Sequence, residues 1–325
     1  MKTDTNKYTK EVEDTLNRLS LKNDKVKAEK LKKYIGTNLS VLGLESKIQG
    51  AAHKKGFSFY SESKETVFSI LDNVYRQSNI FEAKNIAFIF LDKNHKHIPH
   101  QTQLNVLPKW VKQVDNWAHS DGLSKYLSKL VEHESTKDQI LSILKKWNSS
   151  KNLWERRQSL ISLFYYARTK KTYVSFELVQ EFALPLINDK EYYVQKAVGW
   201  TLRESYNVYP KQTYLFIEQN IKQISPTAFT TCLEKMSEKE KAQELVEKFK
   251  DYVHGYVGSS MLSNHEYPEQ ILSQAKKVAT MVVDEILQEI SHGQKLDWVH
   301  ERKEGQEYIV YWSKVKAEIQ DVVLA

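Results

Sequence analysis

The stretch Leu153-Trp-Glu-Arg-Arg-Gln-Ser-Leu-Ile-Ser-Leu-Phe-Tyr-Tyr166 decides the fold class. Its apolar residues return at the spacing of an amphipathic helix with one buried stripe. The pattern recurs downstream at Phe176 to Ile187, Tyr192 to Tyr206, Tyr214 to Ile221 and Leu245 to Val253, and upstream at Leu123 to Val131 and Ile140 to Trp147. Nearer the start, Glu11 to Leu21, Asp24 to Ile35, Ser63 to Tyr75 and Phe81 to Leu91 read the same way, with Gly36 as a stop and Ser63 as an N-cap. Residues 93–100 form a polar break, and Pro108 then suits the first turn of a helix carrying Trp110, Val111 and Val114.

Composition agrees. Only 10 Gly and 6 Pro occur in 325 residues, too few for the many turns of a sandwich or barrel. The chain therefore reads as all-α. A long series of short amphipathic helices, each needing a neighbour to cover its stripe, describes a curved solenoid of stacked helical hairpins, and a compact helical bundle is the alternative because the repeat is not crisp. From Gly258 to His265 the pattern lapses into a loop, Pro268 opens a helix over Ile271 to Ile290, and Gly293 and Gly305 bracket a connection before a last helix, Tyr308 to Val323. The sequence thus divides into residues 1–255 and an appended helical segment, 256–325, that packs on the last repeat.

The function classes narrow too. A single cysteine, Cys232, forms no internal disulfide and fits a reducing cytosol. Mean hydropathy is −0.57, and no window approaches the ~18 apolar residues of a membrane helix. The start is polar, unlike a signal peptide. His95, His97 and His100 fall in the polar break without a cysteine or a recognisable carboxylate pattern, so a loop is expected there and no metal site.

The net charge, 48 basic against 41 acidic residues or +7, specifies little by itself. Its distribution says more: residues 151–171 hold Lys151, Arg156, Arg157, Arg168, Lys170 and Lys171 among aromatics, a phosphate-binding pattern or a solvated basic helix face. Arg157, one turn from Trp154, could meet a phosphate as a bidentate fork. In Val114-Asp-Asn-Trp-Ala-His-Ser-Asp-Gly-Leu123, helical spacing sets Trp117 and Asp121 side by side, whereas the plainer reading makes Trp117 core and Asp121 an N-cap for a helix beginning near Leu123. His119 faces away from both on such a helix, and Trp110, Trp147 and Trp154 lie on apolar stripes and are expected in the core.

That stretch, together with Asn152-Leu-Trp-Glu-Arg-Arg-Gln158 and Tyr193-Val-Gln-Lys-Ala-Val-Gly-Trp-Thr-Leu-Arg-Glu204, resembles the AlkD-like DNA alkylation repair family, helical-repeat DNA glycosylases of the HEAT-like class. Tyr34-Ile-Gly-Thr-Asn-Leu-Ser-Val-Leu-Gly-Leu44 and Ala83-Lys-Asn-Ile-Ala-Phe-Ile-Phe-Leu91 look like its early helices. The resemblance spans roughly residues 25–250. It implies that Trp117 and Trp200 flank the lesion nucleotide, that Asp121 is the catalytic carboxylate, and that Arg157 and Arg203, with Lys170 and Lys171, contact duplex DNA. On this reading Arg157→Ala lowers the salt slope of duplex binding by ~1.

The implied activity is monofunctional excision of positively charged N-alkylated purines, by a monomer in the cytoplasm (on the nucleoid, if bacterial), with no metal or cofactor. The residue types suit that chemistry: a cationic base leaves without a general acid, and a carboxylate can stabilise the charge passed to the sugar. The rival expectation is a non-catalytic HEAT-repeat protein that binds damaged or branched DNA. A helical scaffold for protein partners rests on the fold alone.

Overall fold

The structure is a computed structural model that describes residues 5–21, 25–232, 238–250, 268–295 and 302–322, all of them helical or in connections between helices apart from one isolated bridge. Two compact units are present, 1–228 and 229–325.

The first unit begins with α1 (Thr5–Ser20), α2 (Lys25–Ile35) and α3 (Ser46–Lys55). Gly36 ends α2 with φ +69°, where a Cβ would stand 2.9 Å from the Tyr193 hydroxyl, so only glycine suits both the turn and the close approach. The 37–45 stretch, expected to resemble an early helix, is irregular instead. Ser40 bridges Ile80, and the buried Glu82 carboxylate accepts the backbone N–H groups of Leu42, at 3.0 Å, and Leu44, at 3.2 Å. Side-chain acceptance of these donors lets the chain run without helical hydrogen bonds.

Then follow α4 (Lys64–Gln77), α5 (Phe81–Asn94), α6 (His100–Trp110), α7 (Trp117–Glu132), α8 (Glu134–Asn148), α9 (Leu153–Phe164), α10 (Phe176–Ala183), α11 (Tyr192–Tyr206), α12 (Pro210–Gln219) and α13 (Pro226–Cys232). Ser63 caps α4 as expected, its Oγ accepting from Thr66 N at 3.2 Å. Pro108, by contrast, lies inside α6 near its end, and a single 3-10 turn over Val111–Gln113 follows.

Alternate helices form two layers. In one, α5, α7, α9 and α11 pack successively side by side; in the other, α4, α6 and α8 do so, and each hairpin joins the layers. This is the stacked-hairpin solenoid arrangement. Helix α9 is the most enclosed, buried from Trp154 to Phe164 apart from Arg156. Trp110, Trp147 and Trp154 are core residues, as their stripes predict. His119 is buried as well, stacked on Phe81 at 4.4 Å and hydrogen-bonded to Asn116 and Asn85, each at 3.1 Å.

Burial, helped by the nearby Lys84 ammonium, holds His119 down to about 3. An unfolded histidine takes a proton near 6.5, so the stability carried by this neutral imidazole is present above that pH and is lost as pH falls toward 3. Replacing His119 with Gln, which cannot titrate, should therefore destabilise the unit less at pH 5 than at pH 7.5. A melting-temperature difference that does not change with pH would contradict this.

The second unit contains α14 (Glu238–Lys250), α15 (Pro268–Lys295) and α16 (Arg302–Asp321), each packed on the other two. Trp312, Val315 and Ile319 of α16 and Ala275, Ala279 and Val283 of α15 are buried, and Lys316 pairs with Asp284 at 2.6 Å. Because α14 belongs to this trio, the division falls within α13, earlier than the 255/256 boundary read from sequence. Gly293 and Gly305, expected to bracket a connection, lie inside α15 and α16. The loop expected at 258–265 lies outside the described residues, as does the end of the expected helix at Val253. No helix among the described residues is long and apolar enough to cross a membrane.

Candidate active site

Three neighbouring helices of one layer supply the site: α7 carries Trp117 and Asp121, α9 carries Arg157, and α11 carries Tyr193, Trp200 and Arg203. Helix α7 begins at Trp117 because Asn116 caps it, its Oδ1 accepting from His119 N at 2.8 Å. That start removes the N-cap reading of Asp121, which stands in the second turn on the same face as Trp117. The indole of Trp117 is half-buried, donating to the Tyr34 carbonyl at 3.2 Å and meeting the Tyr34 ring edge-on at 5.5 Å.

Asp121 and Arg157, 36 residues apart, form an ion pair. The guanidinium has one partner for each nitrogen: Nη2 donates to Asp121 Oδ1 at 2.7 Å, Nε to Ser120 Oγ at 3.1 Å, and Nη1 to the Tyr193 carbonyl at 2.8 Å. Its side chain is 5% exposed, while that of Asp121 is 29% exposed. Arg157 thus holds a carboxylate from beneath rather than offering a fork to phosphate at the surface. Asp121 Oδ2 takes no hydrogen bond among the described residues, leaving one carboxylate oxygen without a protein donor on a part-exposed side chain. Burial pushes the Asp121 carboxyl above the usual carboxylate range, and the attraction of Arg157 opposes that without cancelling it.

Gln158 and Ser162, both fully buried, support the pair from α9. Gln158 Nε2 donates to Ser120 O at 2.5 Å and to Ser120 Oγ at 3.1 Å, and Ser162 Oγ donates to Gln158 Oε1 at 2.9 Å. A satisfied polar network of this kind fixes one arrangement of its members. The sequence reading missed these residues; their signal was a polar side chain at each place where the α9 stripe should be apolar.

Trp200 lies two turns beyond Tyr193 on α11, about 10 Å along the axis, and is 8% exposed. It is covered rather than open: Tyr166 lies at 5.4 Å, Tyr165 at 6.2 Å, and the Arg203 guanidinium sits over the indole at 5.8 Å. Trp117 and Trp200 therefore stand on helices separated by α9.

The basic stretch 151–171 divides by environment. Arg156 is bound in a two-pronged pair with Asp189 at 2.7 and 3.1 Å. Lys170 has a side chain only 4% exposed, donates to the Ser128 carbonyl and lies 3.6 Å from Glu132, so it faces inward rather than toward a ligand; burial pulls it down to about 8. Lys151, Arg168 and Lys171 remain exposed. His95, His97 and His100 do not converge with other ligand types, and no group of three or more metal-ligating side chains occurs among the described residues.

The model of the DNA alkylation repair enzyme family matches residues 15–236, most of the chain, including every helix of this site. The chain belongs to that family. It is also similar to the solved structure of a predicted DNA alkylation repair enzyme from Enterococcus faecalis, at 18% identity with a TM-score of 0.54, over 66% of this chain and 96% of that one. At that identity the likeness shows the fold alone. No curated protein matches the chain. Family membership supports a role in repairing alkylated DNA, and the site lies wholly within the matched residues.

Proposed function

We propose that this repair protein is a monofunctional DNA glycosylase that excises positively charged N-alkylated purines from duplex DNA. The observation that carries the reading is Asp121: a carboxylate clamped through Oδ1 by a buried arginine, part-exposed, with Oδ2 taking no hydrogen bond among the described residues. Repair of an alkylated base by excision requires the C1′–N bond to break. The bonding electrons leave with the base and neutralise its charge, while positive charge builds on C1′ and the ring oxygen. An oriented carboxylate stabilises that charge, and water then adds to C1′ with its proton passing to the carboxylate or to solvent. The departing base brings its own positive charge, so the route needs neither a general acid nor a metal.

Arg157 is a positioning residue in this scheme. Trp117 offers a half-buried indole face for the sugar or the cationic base, worth ~0.5–2 kcal/mol, whereas the Trp200 indole, covered by Tyr165, Tyr166 and Arg203, backs the site from beneath them. Lys171, exposed, and Arg203, whose side chain is 15% exposed and lies 3.4 Å from Glu204, remain the candidate phosphate contacts, whereas Arg157 and Lys170 serve inside the protein. The protein acts as a monomer in the cytoplasm.

The scheme limits its own substrates. A duplex containing 7-methylguanine or 3-methyladenine should lose the damaged base, whereas one containing uracil, which leaves as an unassisted anion, should be cleaved at least a hundredfold more slowly. Comparable release from both would overturn the mechanism, and tight binding without release from either would favour the non-catalytic alternative. The reaction also needs Asp121 ionised. Because burial raises that carboxyl, the acid limb of kcat/KM should lie above the ordinary ~4, with activity lost as pH falls through it.

A further inference from the structure

Tyr165 is the one residue other than glycine with positive φ among the described residues, at φ 55° and ψ −107°. Those angles are close to the first central position of a type II′ turn, where glycine is strongly favoured because a Cβ is strained. The turn closes α9, with Tyr165 N donating to the Ile161 carbonyl at 2.8 Å. A glycine would close it more easily, so the strain points to a use for the side chain.

The Tyr165 ring is half-buried, edge-on to Tyr166 at 4.8 Å and 6.2 Å from Trp200, so it forms part of the cover over that indole. Its hydroxyl has no hydrogen-bond partner among the described residues, whereas the deeper Tyr126 hydroxyl is bonded to Asp92 and to the Phe88 carbonyl. Burial, with the neighbouring Tyr166 and the carboxylates of Asp121 and Asp92 adding to it, pushes the phenol up to about 12. It is therefore a protonated donor at neutral pH, within electrostatic reach of Asp121.

We propose that Tyr165 contacts the lesion nucleotide directly, its ring walling the Trp200 side of the site and its O–H donating to a phosphate oxygen of that nucleotide. The choice of acceptor follows from charge. The hydrogen end of a phenol dipole is repelled by a cationic base and attracted by the anionic phosphate. Asp121, an acceptor, takes the sugar side, and Tyr165, a donor, takes the backbone. This assignment rests on the glycosylase reading for the identity of the nucleotide, but the contact itself is testable without catalysis.

The test uses the full-length protein and a duplex with one tetrahydrofuran abasic site, which keeps the sugar–phosphate and lacks a base. Tyr165→Phe should bind this duplex roughly tenfold more weakly, as expected for a lost hydrogen bond to a charged acceptor. The salt slope should stay unchanged, because a neutral hydroxyl releases no counterion. Tyr165→Gly and Tyr165→Ala should both bind at least as weakly, and the glycine variant should melt roughly 2–4 °C or more above the alanine variant, which reports the strained backbone.

Binding by Tyr165→Phe equal to wild type would overturn the proposal, as would equal melting of the glycine and alanine variants. The outcomes also separate the two readings. Weaker binding by Tyr165→Phe alongside a wild type that releases no methylated purine leaves the contact standing and removes the glycosylase reading. Release by the wild type with undiminished binding by Tyr165→Phe does the reverse.

Discussion

Asp121→Asn should bind alkylated duplex as wild type does and release methylated purine at least a hundredfold more slowly. The side chains have nearly the same shape, and the amide oxygen can still accept from Arg157, so the fold and the arrangement of the site persist. What disappears is a formal negative charge beside the sugar. An electrostatic contribution of ~3 kcal/mol corresponds to about two powers of ten in rate. The measurement is single-turnover base release with the lesion duplex saturated by protein. Equal rates would remove Asp121 from the chemistry, while loss of binding together with rate would make it a structural residue.

The second large effect belongs to Arg157. Arg157→Ala removes the guanidinium donor from Asp121 Oδ1 and the Tyr193 carbonyl and leaves Ser120 Oγ with Gln158 alone. Breaking a buried ion pair costs ~3–5 kcal/mol, and the partial exposure of Asp121 reduces this to about 2–4 kcal/mol. The variant should melt several degrees lower and, where folded, release base at least tenfold more slowly. Its acid limb should move to higher pH, because the attraction that opposes burial is gone.

Arg157→Lys restores at most part of this, since one ammonium cannot span three acceptors. The salt slope of binding to undamaged duplex should stay that of wild type, because the guanidinium does not face solvent. A slope reduced by ~1 would return Arg157 to the backbone role first expected from the sequence.

The sign of the linkage at Asp121 is informative. A carboxyl raised by burial holds its proton more firmly folded than unfolded, so stability falls as pH rises from the unfolded value near 3.9 through the folded one. At neutral pH the ionised group is thus held against its own preference, with Arg157 and the Gln158–Ser120 network limiting the loss. Stability given up at a site that must carry charge is a usual mark of a working group.

Much of this was legible in the sequence, for a local reason. Helices depend on spacing within ten or fifteen residues, so the stripes of α4, α5, α7, α9 and α11 could be read directly, as could the capping serine at 63 and the stop at Gly36. The pairing of Trp117 with Asp121 on one face follows from the same arithmetic. The misreadings needed long-range information. Pro108 looks like a helix start until the helix is seen to begin at His100. The family resemblance of Tyr34 to Leu44 suggests an early helix, but past Gly36 the chain is irregular because Glu82, about 40 positions away, accepts its backbone donors.

Arg157 and Lys170 look like surface cations because the sequence cannot show that α7 supplies acceptors for both: Ser120 and Asp121 for one, the Ser128 carbonyl and Glu132 for the other. Gly293 and Gly305 illustrate the limit of punctuation rules, since long helices packed on their neighbours tolerate a residue of weak helix propensity.

In the proposed mechanism Asp121 stabilises a cation forming on the sugar. The most direct measurement is the secondary deuterium isotope effect at C1′ of a single 7-methylguanine nucleotide during single-turnover release. Loosening of C1′ toward a planar cation predicts a clearly normal effect, with free methylguanine and an intact abasic strand as products. An effect of unity or below, or a lesion returned to guanine within the strand, would contradict it.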